Sequence, residues 1–290
     1  MKNLFLILIS FSFLLNTFSQ PGNVEDKPNN MVFIPAGTFT MTIEENNNPM
    51  NISASVDAFW MSDEITNSEY REFVDFVKNN PELELCWIDL NHLAKDRENG
   101  VANTKHENYL MCVQNSEIID NIIDTKNTPY ADYFSNVKYD DYPVVGVSQE
   151  NAGYYCIWRS DKENRIRQKE GKAYNYHDYR LPIEAEWAYV ASHTLIKKKR
   201  SKSKAKIKPS KSGQRNEFGL YNFAGNVSEW TASSKENRWT NQPDETVDKD
   251  IKIYRGGSWK SGLDLEERNE LNNSDAKAYI GFRIVKSYSK

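Results

Sequence analysis

The chain has 290 residues, of which 39% are apolar and 12% aromatic, enough for one large domain or two small ones around a substantial core. Tyr dominates the aromatics while the mean hydropathy is low, the combination expected of a loop-rich globular protein whose core relies on rings. No period of about twenty to fifty residues recurs, which excludes a solenoid.

Lys2 precedes an apolar run over residues 4–15, with Thr17 and Ser19 as small residues near a cleavage point at Ser19 or Gln20. This run is too short to span a bilayer and has the layout of a secretory signal peptide over residues 1–19. The mature chain is therefore expected to be exported, periplasmic or associated with the cell surface, without a transmembrane segment. No cysteine precedes Cys86, so the lipid-attachment cysteine of a bacterial lipoprotein is missing. Residues 20–30, polar with two prolines, read as a flexible leader to a domain over 31–290. An oxidising compartment permits one disulfide among Cys86, Cys112 and Cys156. Cys156 falls on an amphipathic helix and reads as a small buried hydrophobe. That favours Cys86–Cys112, although sequence leaves the pairing open.

Residues 31–41 alternate around Pro35 and Gly37, predicting two short strands joined by a turn. Another strand is predicted over 56–61. The clearest helix spans 66–78: Thr66 caps it, Glu69 stands three residues on, and Tyr70, Phe73, Val74 and Val77 share one face. Residues 81–142 show no periodicity and read as irregular. A short buried strand is expected at 143–147, followed by a helix capped by Ser148 with Ala152, Tyr155 and Cys156 inward. The charged stretch 161–172 reads as a solvated insertion. Leu181-Pro182 opens another helix with Trp187, Val190 and Ala191 inward.

Residues 197–215 hold ten of the 37 Lys and Arg residues and no acid, so the remainder of the chain is strongly acidic. The run lacks the interleaved aromatics that stack on bases, and the signal peptide directs it away from nucleic acid. A flexible surface loop that meets acidic patches or an anionic envelope polymer is expected. Residues 216–231 gather Phe218, Tyr221, Phe223 and Trp230 around Gly219 and Gly225, with oxygens from Asn222, Asn226 and Glu229. Irregular backbone of this kind turns oxygens toward one point, as a hard cation requires, but it is equally the composition of a tight turn with an apolar anchor. Residues 253–259 and 281–285 read as strands with glycine at points of close backbone approach.

In chain order, Met31-Val-Phe-Ile-Pro-Ala-Gly-Thr-Phe, Glu64-Ile-Thr-Asn-Ser-Glu-Tyr-Arg-Glu-Phe-Val and Tyr142-Pro-Val-Val-Gly-Val-Ser are followed by Arg180-Leu-Pro-Ile-Glu-Ala-Glu-Trp and Phe218-Gly-Leu-Tyr-Asn. Gly225-Asn-Val-Ser-Glu-Trp, Arg255-Gly-Gly-Ser-Trp and Gly281-Phe-Arg complete the set. Together these resemble the formylglycine-generating enzyme and sulfatase-modifying-factor family. The resemblance implies a single α+β domain related to C-type lectins, with few regular elements. Tyr139-Asp-Asp-Tyr-Pro, Cys156-Ile-Trp-Arg and the charged insertion before Tyr179-Arg-Leu-Pro are similar in layout to the gliding-motility and type IX secretion lipoproteins of that family, which are envelope scaffold components.

Catalytic relatives carry two copper-binding cysteines after the Arg-Gly-Gly-Ser segment. Here those positions hold Ser261 and Glu266, and no cysteine follows Cys156. A hydroxyl and a carboxylate do not replace two soft thiolates for Cu(I), so neither copper nor a catalytic site is expected. By the same resemblance, Asn222 and Glu229 would give side-chain oxygens, and Gly225 and Val227 backbone oxygens, to a structural calcium ion. A second calcium site of the family would fall in the basic run, where no ligands are found. Ile183 stands where Thr is usual, removing a helix cap. Gln149 and Ser228 replace Trp, implying an altered surface or looser packing. Three functions follow: a non-catalytic envelope scaffold or binding protein with a protein partner, a calcium-dependent glycan binder, and, last, a sulfatase-maturing oxidase.

Overall fold

The computed structural model describes residues 27–45, 48–88, 110–172, 179–195, 200–201, 205–234 and 250–288. The expected signal peptide and most of the leader lie outside them. Two four-stranded sheets form the frame. The first runs in the order Met31–Ile34, Phe59–Ser62, Val285–Ser287, Tyr179–Arg180, with all neighbours antiparallel. The second runs Arg268–Asn272, Ile251–Arg255, Ser228–Ser234, Ile280–Gly281, antiparallel except for its last pair. Strands far apart in sequence meet in both, so chain closure depends on the C-terminal residues 280–287.

The Asn67–Asn79 helix forms as its sequence predicts. Thr66 Oγ1 accepts from Glu69 N at 3.2 Å, and Glu69 Oε2 accepts from Thr66 N at 3.0 Å, so each half of the capping box satisfies an end donor. Its buried stripe Tyr70, Phe73, Val74 and Val77 packs against the Gln149–Lys169 helix, with Tyr70 stacked on Tyr155 at 5.7 Å between centroids. Ser148 caps that second helix, its Oγ accepting from Asn151 N. A second core gathers Trp187, Val190 and Ala191 of the Glu184–Ser192 helix with Phe223 and Val285.

Several expectations change. Residues 31–34 and 37–45 are strands but do not pair with each other. Gly37–Glu45 instead forms a ribbon with Asn48–Val56. The 56–61 strand divides there, with Phe59–Ser62 in the first sheet. Residues 143–147 are buried but not a strand, because the backbone groups are satisfied singly: Val144 N reaches Ile65 O and Gly146 N reaches Lys277 O. The charged stretch after residue 160 is the continuing helix rather than an insertion. Asn164 is buried in it, and Glu163 turns inward to Lys286 at 2.6 Å and to the Tyr179 hydroxyl. Within 81–142, Glu84–Ile88 pairs with Leu110–Gln114, and the Cys86–Cys112 disulfide joins directly opposed positions, leaving Cys156 as a buried thiol. Glu84 lies beside that disulfide, but both sulfurs are bonded to each other and none is left to bind a metal.

The loss of Thr at 183 is offset from elsewhere. Ser233 Oγ accepts from Glu184 N at 2.9 Å, and Glu186 accepts from Ile183 N at 2.9 Å, so the helix start keeps partners. Ser228 is buried and donates to Gly256 O, and Gln149 donates to Thr231 O. Both polar replacements of Trp are thus hydrogen-bonded, Ser228 in the interior and Gln149 half-buried at its edge.

Candidate binding site beneath the 222–229 loop

The loop turns at Asn222 and Asn226, both with φ of 68°. Asn tolerates this left-handed backbone better than most residues, which is why two of them alternate with glycine here. Gly257 closes the turn from the other side. A Cβ there would lie 2.1 Å from Gly262 O and 2.7 Å from Ala224 O, so only glycine lets the strands meet.

The four expected calcium ligands lie on this one loop and its following strand but are not equally available. Glu229 is fully buried. Its Oε2 accepts from Trp187 Nε1 at 2.7 Å and Arg283 Nε at 2.6 Å, and its Oε1 accepts from Arg283 Nη2 at 2.6 Å. Arg283 also donates to Ser62 O and Tyr221 O and lies 3.9 Å from the Phe223 ring centroid. Burial works against its charge, but the Glu229 carboxylate outweighs this and holds it protonated. By contrast, no hydrogen bond from a described residue reaches Oδ1 of Asn222 or the carbonyl oxygens of Gly225 and Val227. Three oxygens without partners among the described residues suit a hard cation in chemistry, whereas both oxygens of Glu229 are already held. Arg283 already gives Glu229 one positive charge.

Glu64 is the residue that sequence reasoning passed over. It is 2% exposed and sits between the Phe59–Ser62 strand and the first helix. Its Oε2 accepts from Asn222 Nδ2 at 2.9 Å and Asn226 Nδ2 at 3.0 Å. Burial pushes its carboxyl well above the usual range. The Glu229 charge adds to this, while Arg283 and the two amides pull against it. Neighbouring Asp63, whose Oδ1 accepts from Tyr221 N, is also raised, by burial first, with Arg283 opposing. The signal in the sequence was a pair of acids wedged between two buried apolar runs.

The basic run is not simply a flexible loop. Arg200–Ser201 pairs with Leu263–Asp264, and residues 205–215 are an ordered strap across the site. Asn226 grips the Lys208 backbone on both sides, accepting from its N at 2.8 Å and donating to its O at 3.1 Å. Asn222 donates to Ser210 O at 2.8 Å. Ile207 and Ser210 are buried, Ile207 among Tyr133, Val145 and Val227. One isoleucine with asparagine partners for the backbone was enough to order a segment that composition alone assigns to solvent. The rest of the run lies outside the described residues.

At the positions of the family cysteines, Ser261 and Glu266 do not meet. Ser261 Oγ donates to Glu267 Oε2 at 3.0 Å and lies 3.0 Å from Ser258 Oγ, a chain of hydroxyls and carboxylate closing a turn. Glu266 is exposed, and its carbonyl accepts from Arg255.

This is a mixed α+β domain in which sheet, helix and the 222–229 loop are tied by one buried Glu–Arg pair. The chain belongs to the family of sulfatase-modifying factor enzyme 1-like domains, which matches residues 17–288. It is 28% identical over 172 residues to the serine/threonine-protein kinase pkn1 of Chlamydia caviae, covering 51% of this chain and 24% of that protein. It is 28% identical over 145 residues to the inactive C-alpha-formylglycine-generating enzyme 2 of Bos taurus, covering 41% and 39%. The chain thus spans well under half the length of these relatives. Among solved structures, PvdO from Pseudomonas aeruginosa superposes with a TM-score of 0.54 at 18% identity, over 89% of this chain and 94% of that one, a likeness of fold. Among the described residues no helix is long and apolar enough to cross a membrane.

Proposed function

We propose that this chain is a non-catalytic binding or scaffold protein of the sulfatase-modifying-factor fold, exported to the periplasm or cell surface and working in the gliding or type IX secretion machinery of the envelope. The observation that carries the non-catalytic reading is the Ser258–Ser261–Glu267 chain where copper thiolates would be needed. The name of the Bos taurus relative, an inactive enzyme, agrees with it. The envelope role rests on the layout around residues 139–182. The test is twofold. The purified protein should leave the cysteine of a sulfatase-type peptide unchanged with or without copper, and a pull-down from the envelope fraction should retain a defined partner. An aldehyde on the peptide, read by mass spectrometry, would overturn the reading.

A glycan-binding role is favoured by one observation. Tyr130, 42% exposed, stacks on Tyr139 at 5.5 Å and 13° between ring planes, an open platform of the kind sugars pack against. Binding on a glycan array with no protein partner retained would select it. Calcium belongs to either reading as a structural ion at Asn222, Gly225, Val227 and Glu229. Added calcium should raise the melting temperature by mass action, and Asn222→Ala should blunt the rise. Identical melting curves in calcium and in chelator would remove the ion from the proposal.

A further inference from the structure

A cleft of about 460 Å³ opens beside the Glu64 knot, between residues 62–69 and the 209–211 segment of the strap. Asp63, Glu64, Glu69 and Asp141 line it against one cation, Lys211. Glu69 is occupied by the helix cap, and Asp141 lies out at the exposed rim. Asp63 and Glu64 are different. Among the described residues neither meets a cation: Asp63 accepts from Tyr221 N and Glu64 from the Asn222 and Asn226 amides, while the buried Arg283 nearby is bound through two nitrogens to Glu229. The third feature is Ser210. The residue is 1% exposed and lines the same cleft, yet among the described residues its hydroxyl has no hydrogen-bond partner. A buried hydroxyl left unpaired is costly, and native structures rarely tolerate one without a missing partner.

Two carboxyl groups and a hydroxyl in one cleft offer acceptors to a positive ligand with three donors, whose charge would in turn favour their ionised form. A primary ammonium has three N–H groups and no acceptor, whereas a guanidinium presents a planar fork suited to a single carboxylate. Calcium takes six to eight oxygens. The amides beside Glu64 present N–H to it rather than oxygen. The volume also lies in the range of small-molecule pockets and far exceeds an ion, leaving room for an alkyl stem. We propose that this cleft binds a primary alkylammonium group, supplied by the lysine side chain of a partner or by a free diamine, held by Asp63, Glu64 and Ser210. The site adjoins the residues assigned to calcium, since Asn222 donates to both Glu64 and Ser210 O, but none of those four is asked to hold the ammonium.

The test is calorimetric titration of the full chain with three probes: 1,5-diaminopentane, the peptide Gly-Gly-Lys-Gly-Gly, and the same peptide with its lysine acetylated. Saturable binding of the diamine or the lysine peptide, with none of the acetylated form, is expected. Diamine alone points to a free amine, and the lysine peptide to a partner side chain. Glu64→Gln should weaken binding at least about tenfold, and Ser210→Ala about threefold or more, as charge-assisted and neutral hydrogen bonds do. Lys211→Ala should tighten binding by removing a competing charge. Melting curves establish that each variant is folded, and Asp63→Asn serves if Glu64→Gln is not. Absence of saturable binding by either amine, equal binding of the acetylated peptide, or calcium displacing the amine in the wild type would each overturn the proposal.

Discussion

Glu229 and Glu64 are both buried carboxylates, and their neighbours treat them differently. Glu229 receives three hydrogen bonds, two of them from a guanidinium. Glu64 is buried beside the Glu229 charge, and burial first and that charge second outweigh the pull of Arg283 and the two amides, so it holds its proton more tightly in the fold than out of it. An unfolded glutamate titrates near about 4.3. Since the folded value is raised, the stability Glu64 contributes is fully present below that pH and is lost as pH rises through the folded value. Gln has the same shape and no proton to lose. The melting temperature of Glu64→Gln relative to wild type should therefore increase as pH is raised from about 4 toward 8. A constant difference across that range would show that Glu64 titrates alike in both states. At this scale the sequence singled out Asn222 and Glu229, which sit in one short motif. Glu64 stayed hidden because its amide partners are 158 and 162 residues away.

Local signals were most informative where an element closes on itself. The capping box at Thr66 and Glu69 and the Ser148 cap need only three residues to be recognised, and both helices form where those residues place them. Buried apolar runs were less informative: residues 143–147 are as hydrophobic as a strand, yet their hydrogen bonds go to Ile65 and Lys277 one at a time. The ribbon of Glu84–Ile88 and Leu110–Gln114 lacked periodicity but carried its own staple. Its cysteines are 26 residues apart in sequence. Closing a loop of that size removes unfolded-chain entropy worth about 2–4 kcal/mol. Cys112→Ser, or reduction with dithiothreitol, should lower the urea stability of the whole chain by that amount. An unchanged midpoint would mean that the ribbon unfolds independently of the two cores.

Across the whole molecule, motif order revealed the family and the α+β class, because the motifs lie at the joints between sheets, helices and the central loop. The strap was misjudged because its place depends on what it crosses. Residues 205–215 are polar and basic, but Asn222, Asn226 and Asp141 satisfy their backbone, and Ile207 fills a pocket with Tyr133, Val145 and Val227. Exposed Lys206 and Lys208 contribute charge without packing. Structure and charge can therefore be separated by mutation. Ile207→Ala should cost about 2–5 kcal/mol, as truncation of a buried isoleucine does. Lys206→Gln with Lys208→Gln should stay within about 0.5 kcal/mol per site, as surface changes do. The double Gln variant should nevertheless lose affinity for the proposed anionic envelope partner, with wild-type binding falling as salt is raised, since exposed charges are screened beyond about 8 Å at physiological ionic strength. Deleting 205–215 should melt the domain rather than trim a loop, because it uncovers Val227 and leaves the Asn222 and Asn226 amides without their carbonyl acceptors. Calorimetry of these three variants decides the matter: a deletion that melts with wild-type enthalpy and midpoint would return the strap to the surface.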